Sequence, residues 1–353
     1  MSEIAPRLKM RLAAAMCGCA LLSSATVSRA ADFTRIEKLP DCCTESPFGP
    51  GDYRRDFEVG GKTRTYLIHV PPSYKHDEPM PVVLNFHGGG GNASSQVELT
   101  GMNETADSAG FIAVYPSGSG RLKMFLTFNA GTCCGYARDK DIDDVRYAEG
   151  LLDDLNSIFC VDPARIYATG HSNGAMMSYL LACELSDRIA AVAAVAGPMG
   201  IESCKPTRPV PILHFHGTAD QCAPFAGGVG KSKDAGVFRS VDSSLAQWEK
   251  IDGCDGETRV TYESGHVTCT TFGECRNGAE VTLCEIAGGG HAWPGGNKYP
   301  AKKICGGTLS HEISANDFMW KFFAEHPMPK AETSLTREGG RRQKPETRKP
   351  EQP

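Results

Sequence analysis

The stretch that most restricts how this chain can fold runs from Arg165 to Cys183. Arg165 to Thr169 reads as a strand, and Asn173 to Cys183 as a helix. Between them stands Gly170-His171-Ser172-Asn173-Gly174, a Gly-x-Ser-x-Gly pattern. A serine hydroxyl is held above a sheet edge only where the chain turns sharply. Glycines on either side remove the side chains that would block such a turn. The helix that follows aims its first N–H groups at the place where negative charge would develop. Five residues alone are a weak signal, and the strand before and helix after give the pattern its meaning. Ser172 is therefore the candidate nucleophile.

The rest of the chain repeats the alternation. Thr65 to Val70, Pro81 to Phe86, Phe111 to Tyr115, Ile189 to Val195, Val210 to Phe215 and Glu280 to Ile286 are short runs that read as strands, several apolar enough to be buried on both faces. Asp143 to Phe159 carries Val145, Ala148, Leu152, Leu155 and Phe159 at helical spacing. Ser240 to Ile251 and Ser314 to Ala324 also read as helices. Strands alternating with helices predict an α/β fold with a mostly parallel central sheet and helices on both faces.

In such a sheet, site residues gather beyond the carboxyl ends of strands. The order that goes with this serine turn is Ser, then Asp or Glu, then His, the order of the α/β-hydrolase fold. The acids after Ser172 include Asp187, Asp220, Asp234, Asp242, Asp252 and Asp255. Asp220 stands out because it follows the strand ending at Phe215 through the turn His216-Gly217-Thr218-Ala219. Asp187 reads as a solvated helix end. The later bases are His266, His291, His311 and His326. His291 lies among glycines in Gly288-Gly289-Gly290-His291-Ala292-Trp293-Pro294-Gly295-Gly296, directly after a strand. Ser172, Asp220 and His291 form the expected triad.

Two N–H donors are expected for the oxyanion. One is the backbone of Asn173, and the other comes from Phe86-His87-Gly88-Gly89-Gly90-Gly91, with Gly89 the first choice and Gly90 the second. His87 is read as a brace for that loop. Trp293, beside His291, either stacks on an aromatic acyl group as a substrate-binding residue or wedges the histidine loop in place. His214 and His216 alternate on one strand and so share a face, but two ligands without a third point to core packing rather than a metal. No metal and no cofactor are expected.

The chain of 353 residues is 41% hydrophobic and has a net charge of −5, which fits a folded domain and gives no sign of nucleic-acid binding. Arg7, Lys9 and Arg11 followed by the apolar run Leu12 to Val27 and the small residues around Ser28 to Ala30 read as a secretory signal peptide over residues 1–30. A membrane anchor, or acylation at Cys17 or Cys19, is the weaker reading, because the run is short and both cysteines lie inside it. Residues 31–326 are expected to form one catalytic domain, opened by a stapled N-terminal arm up to about residue 60. Residues 327–353, rich in Pro, Lys, Arg and Glu, read as a disordered tail. Of fifteen cysteines, Cys17 and Cys19 precede the cleavage point, leaving thirteen, an odd number that predicts a free or intermolecular thiol. The vicinal pairs Cys42-Cys43 and Cys133-Cys134 are expected to reach distant partners.

These segments together resemble the secreted bacterial and fungal esterases known as feruloyl esterases and polyhydroxybutyrate depolymerases. The resemblance runs from about Phe57 to Phe323. It is carried by Phe86 to Gly90, Asn129 to Gly135, Asp143 to Val145, Ser172 to Met177, His216 to Asp220 and Gly290 to Gly296. It implies the same triad, and it implies disulfides, with Cys254 to Cys275 the first pair to test. Ser264 to Thr271 and the basic tail depart from the pattern. The implied activity is ester hydrolysis on feruloyl or acetyl groups of plant polysaccharide, with polyhydroxyalkanoate depolymerisation as the alternative. The visible sequence has no separate polymer-binding module, which favours smaller or soluble esters. A non-catalytic binding protein on the same scaffold is the reading from another class.

Overall fold

The computed structural model describes residues 48–122, 124–231, 236–298, 300 and 302–329, all within the compact unit Leu39–Pro353. The expected signal peptide, Cys42 and Cys43, and the tail from residue 330 lie outside the described residues. The chain begins with strands β1 (Gly51–Val59), β2 (Lys62–Val70) and β3 (Met80–Phe86), helices α1 (Ala93–Thr100) and α2 (Met102–Ala109), and strand β4 (Ile112–Pro116). Helices α3 (Gly135–Asp139) and α4 (Asp144–Ile158) precede β5 (Val161–His171), α5 (Asn173–Glu184), β6 (Val192–Val195) and β7 (Ile212–Gly217). The two-residue strands β8 (Gly228–Val229) and β9 (Val237–Phe238) pair with each other, and α6 (Val241–Asp252) follows. Strands β10 (Arg259–Ser264), β11 (Val267–Phe272) and β12 (Val281–Ile286) and helices α7 (Lys302–Cys305) and α8 (Ala315–Glu325) complete the described chain.

Ten strands form one sheet in the order β1-β2-β4-β3-β5-β6-β7-β12-β11-β10. Its centre, β4-β3-β5-β6-β7-β12, is parallel, and the strands at both edges pair antiparallel. Every residue of β3, β4, β6 and β7 is buried, as expected for strands covered on both faces. One face packs against α4, α5 and α6 through Leu151, Leu155, Met177, Leu181, Leu245 and Trp248. The other packs against α2 and α8 through Met102, Ala106, Met319 and Phe323. Helix α5 is enclosed nearly all round, which suits its almost uninterrupted apolar sequence. Ser240 caps α6 and Ser314 caps α8, each side chain accepting from the residue three positions on. This is the α/β-hydrolase architecture.

Two expectations gain detail and one is corrected. The arm before residue 60 contributes β1, an edge strand whose alternate residues Tyr53, Arg55, Phe57 and Val59 turn inward. The departure at Ser264 to Thr271 is a hairpin that extends the sheet, and its Cys269 lies opposite Cys284 in register and is bonded to it. Cys133 and Cys134 are bonded to each other rather than to distant cysteines. They share a turn closed by Ala130 N–H on the Cys133 carbonyl, and every other described cysteine is already in a disulfide. The remaining described pairs are Cys183–Cys204, Cys222–Cys305 and Cys254–Cys275, the last as the resemblance implied. Cys160 is also bonded, so the described residues hold no free thiol.

Candidate active site

Ser172 stands at the end of β5 as the residue that caps α5, with φ 55° and ψ −116°. A non-glycine residue in that region is strained, and such strain persists only where the surroundings enforce it. Here the Ser172 N–H donates to the Val195 carbonyl at 2.8 Å, and its own carbonyl accepts from Met176. A side chain on Gly174 would collide with the Phe86 carbonyl, and one on Gly170 would press on the Gly174 backbone. Both glycines of the pattern are thus required by close backbone approach. The Ser172 side chain is half-exposed, whereas His171 before it and Asn173 after it are buried.

The loop after β3 lies against this turn. A β-carbon on Gly88 would come within 3.5 Å of Ser172 Cβ, and one on Gly89 within 3.7 Å of Asn173 Cβ. The Gly90 N–H is already committed to the Leu126 carbonyl at 2.9 Å, and that of Gly91 to Gly88. Gly89 is exposed, and its N–H has no acceptor among the described residues. Asn173 sits at the first turn of α5, where backbone N–H groups have no helical partner. Of the two glycines weighed, Gly89 thus keeps an N–H without a described acceptor and Gly90 does not. His87 braces the loop as expected: its Nε2 accepts from the Gly118 N–H at 3.0 Å, so Nδ1 carries the proton and donates to the Gly88 carbonyl at 2.8 Å. Burial lowers its pKa to about 4, so the ring is neutral.

Asp220 and His291 come together beyond the ends of the neighbouring strands β7 and β12. His291 Nδ1 lies 2.7 Å from Asp220 Oδ2, and the two residues are 7% and 4% exposed. Their loops are stitched to each other: Ala219 N–H donates to the Gly289 carbonyl at 2.8 Å and Gly288 N–H to Thr218 Oγ1 at 2.8 Å. The Cys222–Cys305 disulfide holds the far side of the Asp220 turn. Asp220 Oδ1 accepts from the N–H groups of Cys222 and Ala223. Burial pushes the Asp220 carboxyl up, but hydrogen bonds from His216 and His291 outweigh it and hold the group below the usual carboxylate range. The imidazole of His291 also packs on that of His171, with ring centroids 4.7 Å apart. Since His171 adjoins Ser172, this contact brings His291 to the serine turn. Burial, and then the His291 ring, lower His171 to about 3, so it stays uncharged.

The other candidates lie elsewhere. Asp187, Asp242 and Asp255 are exposed, and Asp234 lies outside the described residues. Buried Asp252, the last residue of α6, accepts from Val210 N–H. His266 pairs with Glu312 in solvent, His311 is exposed, and His326 Nδ1 meets the Phe322 carbonyl.

Trp293 needs correcting as a substrate-binding residue. Its ring is fully buried, and its indole N–H donates to Asn316 Oδ1 at 2.9 Å, so it offers a substrate no face and wedges the histidine loop against α8. Two roles escaped the sequence reading. The Asn173 side chain clasps the Phe128 backbone, with Oδ1 accepting at 2.7 Å and Nδ2 donating at 3.0 Å. His216, assigned to packing, touches Asp220, and its position four residues before that acid was the available signal.

The family model described as Esterase PHB depolymerase matches residues 64–221. Feruloyl esterase B of Piromyces equi is 33% identical over 236 residues, covering 65% of this chain and 42% of its own length. The chain thus spans less than half of that relative. The putative esterase NocK of Nocardia uniformis subsp. tsuyamanensis is 30% identical over 305 residues, covering 81% of this chain and 84% of its own. Among solved structures, the acetyl xylan esterase from Aspergillus awamori superposes with a TM-score of 0.52 at 14% identity, over 77% of this chain and 99% of that one, which is a likeness of fold. Sequence match, fold and the loops around Ser172 agree, and the chain belongs to the PHB depolymerase esterase family, carboxylic ester hydrolases of the α/β-hydrolase fold.

Proposed function

We propose that the protein is a secreted serine esterase that cleaves feruloyl or acetyl esters of plant polysaccharide through an acyl-enzyme. The observation that carries this reading is the 2.7 Å contact of His291 with Asp220, next to a serine held at positive φ on a glycine-flanked turn. His291 takes the proton from Ser172 as Oγ bonds to the ester carbonyl carbon, and the carbonyl oxygen becomes an oxyanion. The N–H groups of Asn173 and Gly89 hold that oxyanion, each worth about 2.7–4 kcal/mol in the transition state. Asp220 keeps the proton of His291 on Nδ1 and steadies the imidazolium. His291 then protonates the departing alcohol, and water, deprotonated by the same imidazole, releases the acid and frees Ser172. No cofactor takes part in these steps. The relative named feruloyl esterase B supports an aromatic acyl group. The described disulfides support an oxidising destination, and no described helix is long and apolar enough to cross a membrane.

A second reading, polyhydroxyalkanoate depolymerisation, is favoured by a separate observation. Leu122, Met124 and Phe125 are exposed at 60–64% on the segment whose Leu126 carbonyl receives the Gly90 N–H, which makes an apolar lip beside the oxyanion loop. The test is a substrate panel of short-chain p-nitrophenyl esters, methyl ferulate, acetylated xylan and polyhydroxybutyrate granules. Wild-type protein is expected to turn over the p-nitrophenyl esters, and Ser172→Ala to lose about 10³-fold or more in kcat. An unchanged rate in Ser172→Ala ends the serine reading. Turnover of granules but not of methyl ferulate or acetylated xylan selects the second reading.

A further inference from the structure

His216 is joined to more than the carboxylate. Tyr179 Oη lies 2.9 Å from His214 Nδ1, and His214 Nε2 lies 2.9 Å from His216 Nδ1. His216 Nε2 is 2.8 Å from the Ala223 carbonyl oxygen and 3.4 Å from Asp220 Oδ2. All three side chains are enclosed in the protein. His214 and His216 share a face of β7 because side chains alternate along a strand, while Tyr179 comes from α5, the helix that Ser172 opens.

The direction of this row follows from its last member. A carbonyl oxygen only accepts, so His216 carries its proton on Nε2. Its Nδ1 is then an acceptor, and His214 donates to it from Nε2. His214 Nδ1 is left to accept from the Tyr179 hydroxyl. One carbonyl thereby decides both tautomers, and every proton in the row points away from Tyr179 toward the Ala223 carbonyl, beside Asp220. Burial, then the neighbouring His216 ring, hold His214 well below the ordinary imidazole range, so it does not take a second proton that would reverse the row.

We propose that Tyr179, His214 and His216 form a one-directional hydrogen-bond row and that His216, at its end, is a positioning residue that orients Asp220 and moderates its pull on His291. The proposal rests on the triad reading above. Oδ2 accepts from His291 and lies 3.4 Å from His216 Nε2, whose proton goes to the Ala223 carbonyl; the positive end of that N–H draws off part of the charge that Asp220 presents to His291, and each bond in the row strengthens the next. Without that donor the carboxylate holds the imidazolium harder. The serine's base then becomes neutral only at higher pH, and the acid limb of the kcat/KM profile moves up. The titratable groups around His216 are His214 on β7, Asp220 in the turn and His171 at the end of β5. The Phe225 ring, 5.8 Å away, closes the remaining side without charge.

The experiment is a set of pH–rate profiles on a p-nitrophenyl ester for wild type, His216→Leu, His216→Gln, Tyr179→Phe and Ser172→Ala. His216→Leu is expected to lower kcat about 10- to 100-fold with KM within about twofold, and to raise the acid limb by about half a pH unit or more. His216→Gln, which restores an N–H near the Nε2 position, is expected to recover most of kcat and to return the limb to its wild-type place. Tyr179→Phe is expected to move the limb in the same direction by less. A folded His216→Leu protein with an unmoved limb overturns the proposal. If His216→Leu does not fold, an unmoved limb in Tyr179→Phe overturns it instead. Activity surviving in Ser172→Ala strikes the triad reading itself, whereas an inactive Ser172→Ala with unmoved limbs in the row variants removes only the row.

Discussion

Trp293 Nε1 donates to Asn316 Oδ1 at 2.9 Å, and Asn316 Nδ2 passes the link to the Thr100 carbonyl at 2.8 Å. Two residues after His291, the chain is thus pinned to α8 and to the end of α1. Trp293→Phe keeps most of the apolar burial and loses the bond, leaving Asn316 Oδ1 unsatisfied. The variant is expected to lose about 1–3 kcal/mol in denaturant unfolding. Its kcat should fall by a similar factor on methyl ferulate and on a small acetyl ester, because the ring is sealed from solvent. A selective loss on the aromatic ester would mean that the indole touches substrate after all.

Asp220→Asn tests the pairing of acid and base. An amide in place of the carboxylate can present its N–H₂ to His291 and stabilise the wrong tautomer, with Nε2 protonated and unable to accept from Ser172. The expected result is a fall in kcat of about 10³–10⁴ with KM little changed. Steady-state kinetics near neutral pH would check it, with a melting curve to show that the fold survives.

Gly174→Ala reverses the usual sign for a helix. In an open helix the change from glycine to alanine gains about 1 kcal/mol. Here the added methyl would strike the Phe86 carbonyl, which is backbone and cannot swing aside. The variant is expected to be destabilised by about 1–3 kcal/mol or more and to lose activity, because β3 and the serine turn must part. A rise in melting temperature would show that this approach is looser than described.

Acid should unfold the protein through its buried imidazoles. His87 is lowered to about 4, His171 to about 3, and His214 well below its ordinary value, in each case first by burial. In the unfolded chain the same groups take up protons near pH 6.5, so the unfolded state binds more protons below that pH. Their contribution is complete above about pH 6.5 and is lost as pH falls toward the folded values. At pH 5 His87 and His171 each cost on the order of 2 kcal/mol, and His214 acts in the same direction. Buried Asp252 works the other way: burial raises it to about 7 against the Val210 N–H and the charges of Arg208 and Arg276, so it destabilises as pH rises from about 4 to 7. The three imidazoles are expected to outweigh Asp252 and the other raised carboxyls, Asp144, Glu149 and Glu249, giving a net fall in melting temperature between pH 7 and pH 5. In Asp252→Asn, which removes one opposing group, the fall should steepen.

The serine turn was legible because its cause is local. Strand, glycine, serine, glycine and helix follow one another in the chain, and the clash that requires Gly174 involves the adjoining strand. The same holds for Asp220 and His291, each placed just beyond a strand end by its own turn. The order of the three residues pointed to one edge of a parallel sheet, where His291 meets Asp220 and packs on His171 beside Ser172. Gly89 was preferred over Gly90 from the pattern; in the structure Gly90 spends its N–H on Leu126.

What the chain order could not express is which side of a loop faces inward and which distant groups meet. Trp293 has one neighbour in sequence, the catalytic loop, and another in space, Asn316, and only packing decides that its ring turns to the second. Cys133 and Cys134 pair with each other because a turn holds them together, a fact of backbone closure rather than of spacing along the chain. His214 and His216 were visible as two rings on one strand face. That they stand between Tyr179 and Asp220, in a row with one direction, depends on the Tyr179 side chain of α5 reaching His214 of β7. Hydrophobic periodicity reports which face of an element is buried, but a buried polar group takes its role from the partner that tertiary packing delivers to it.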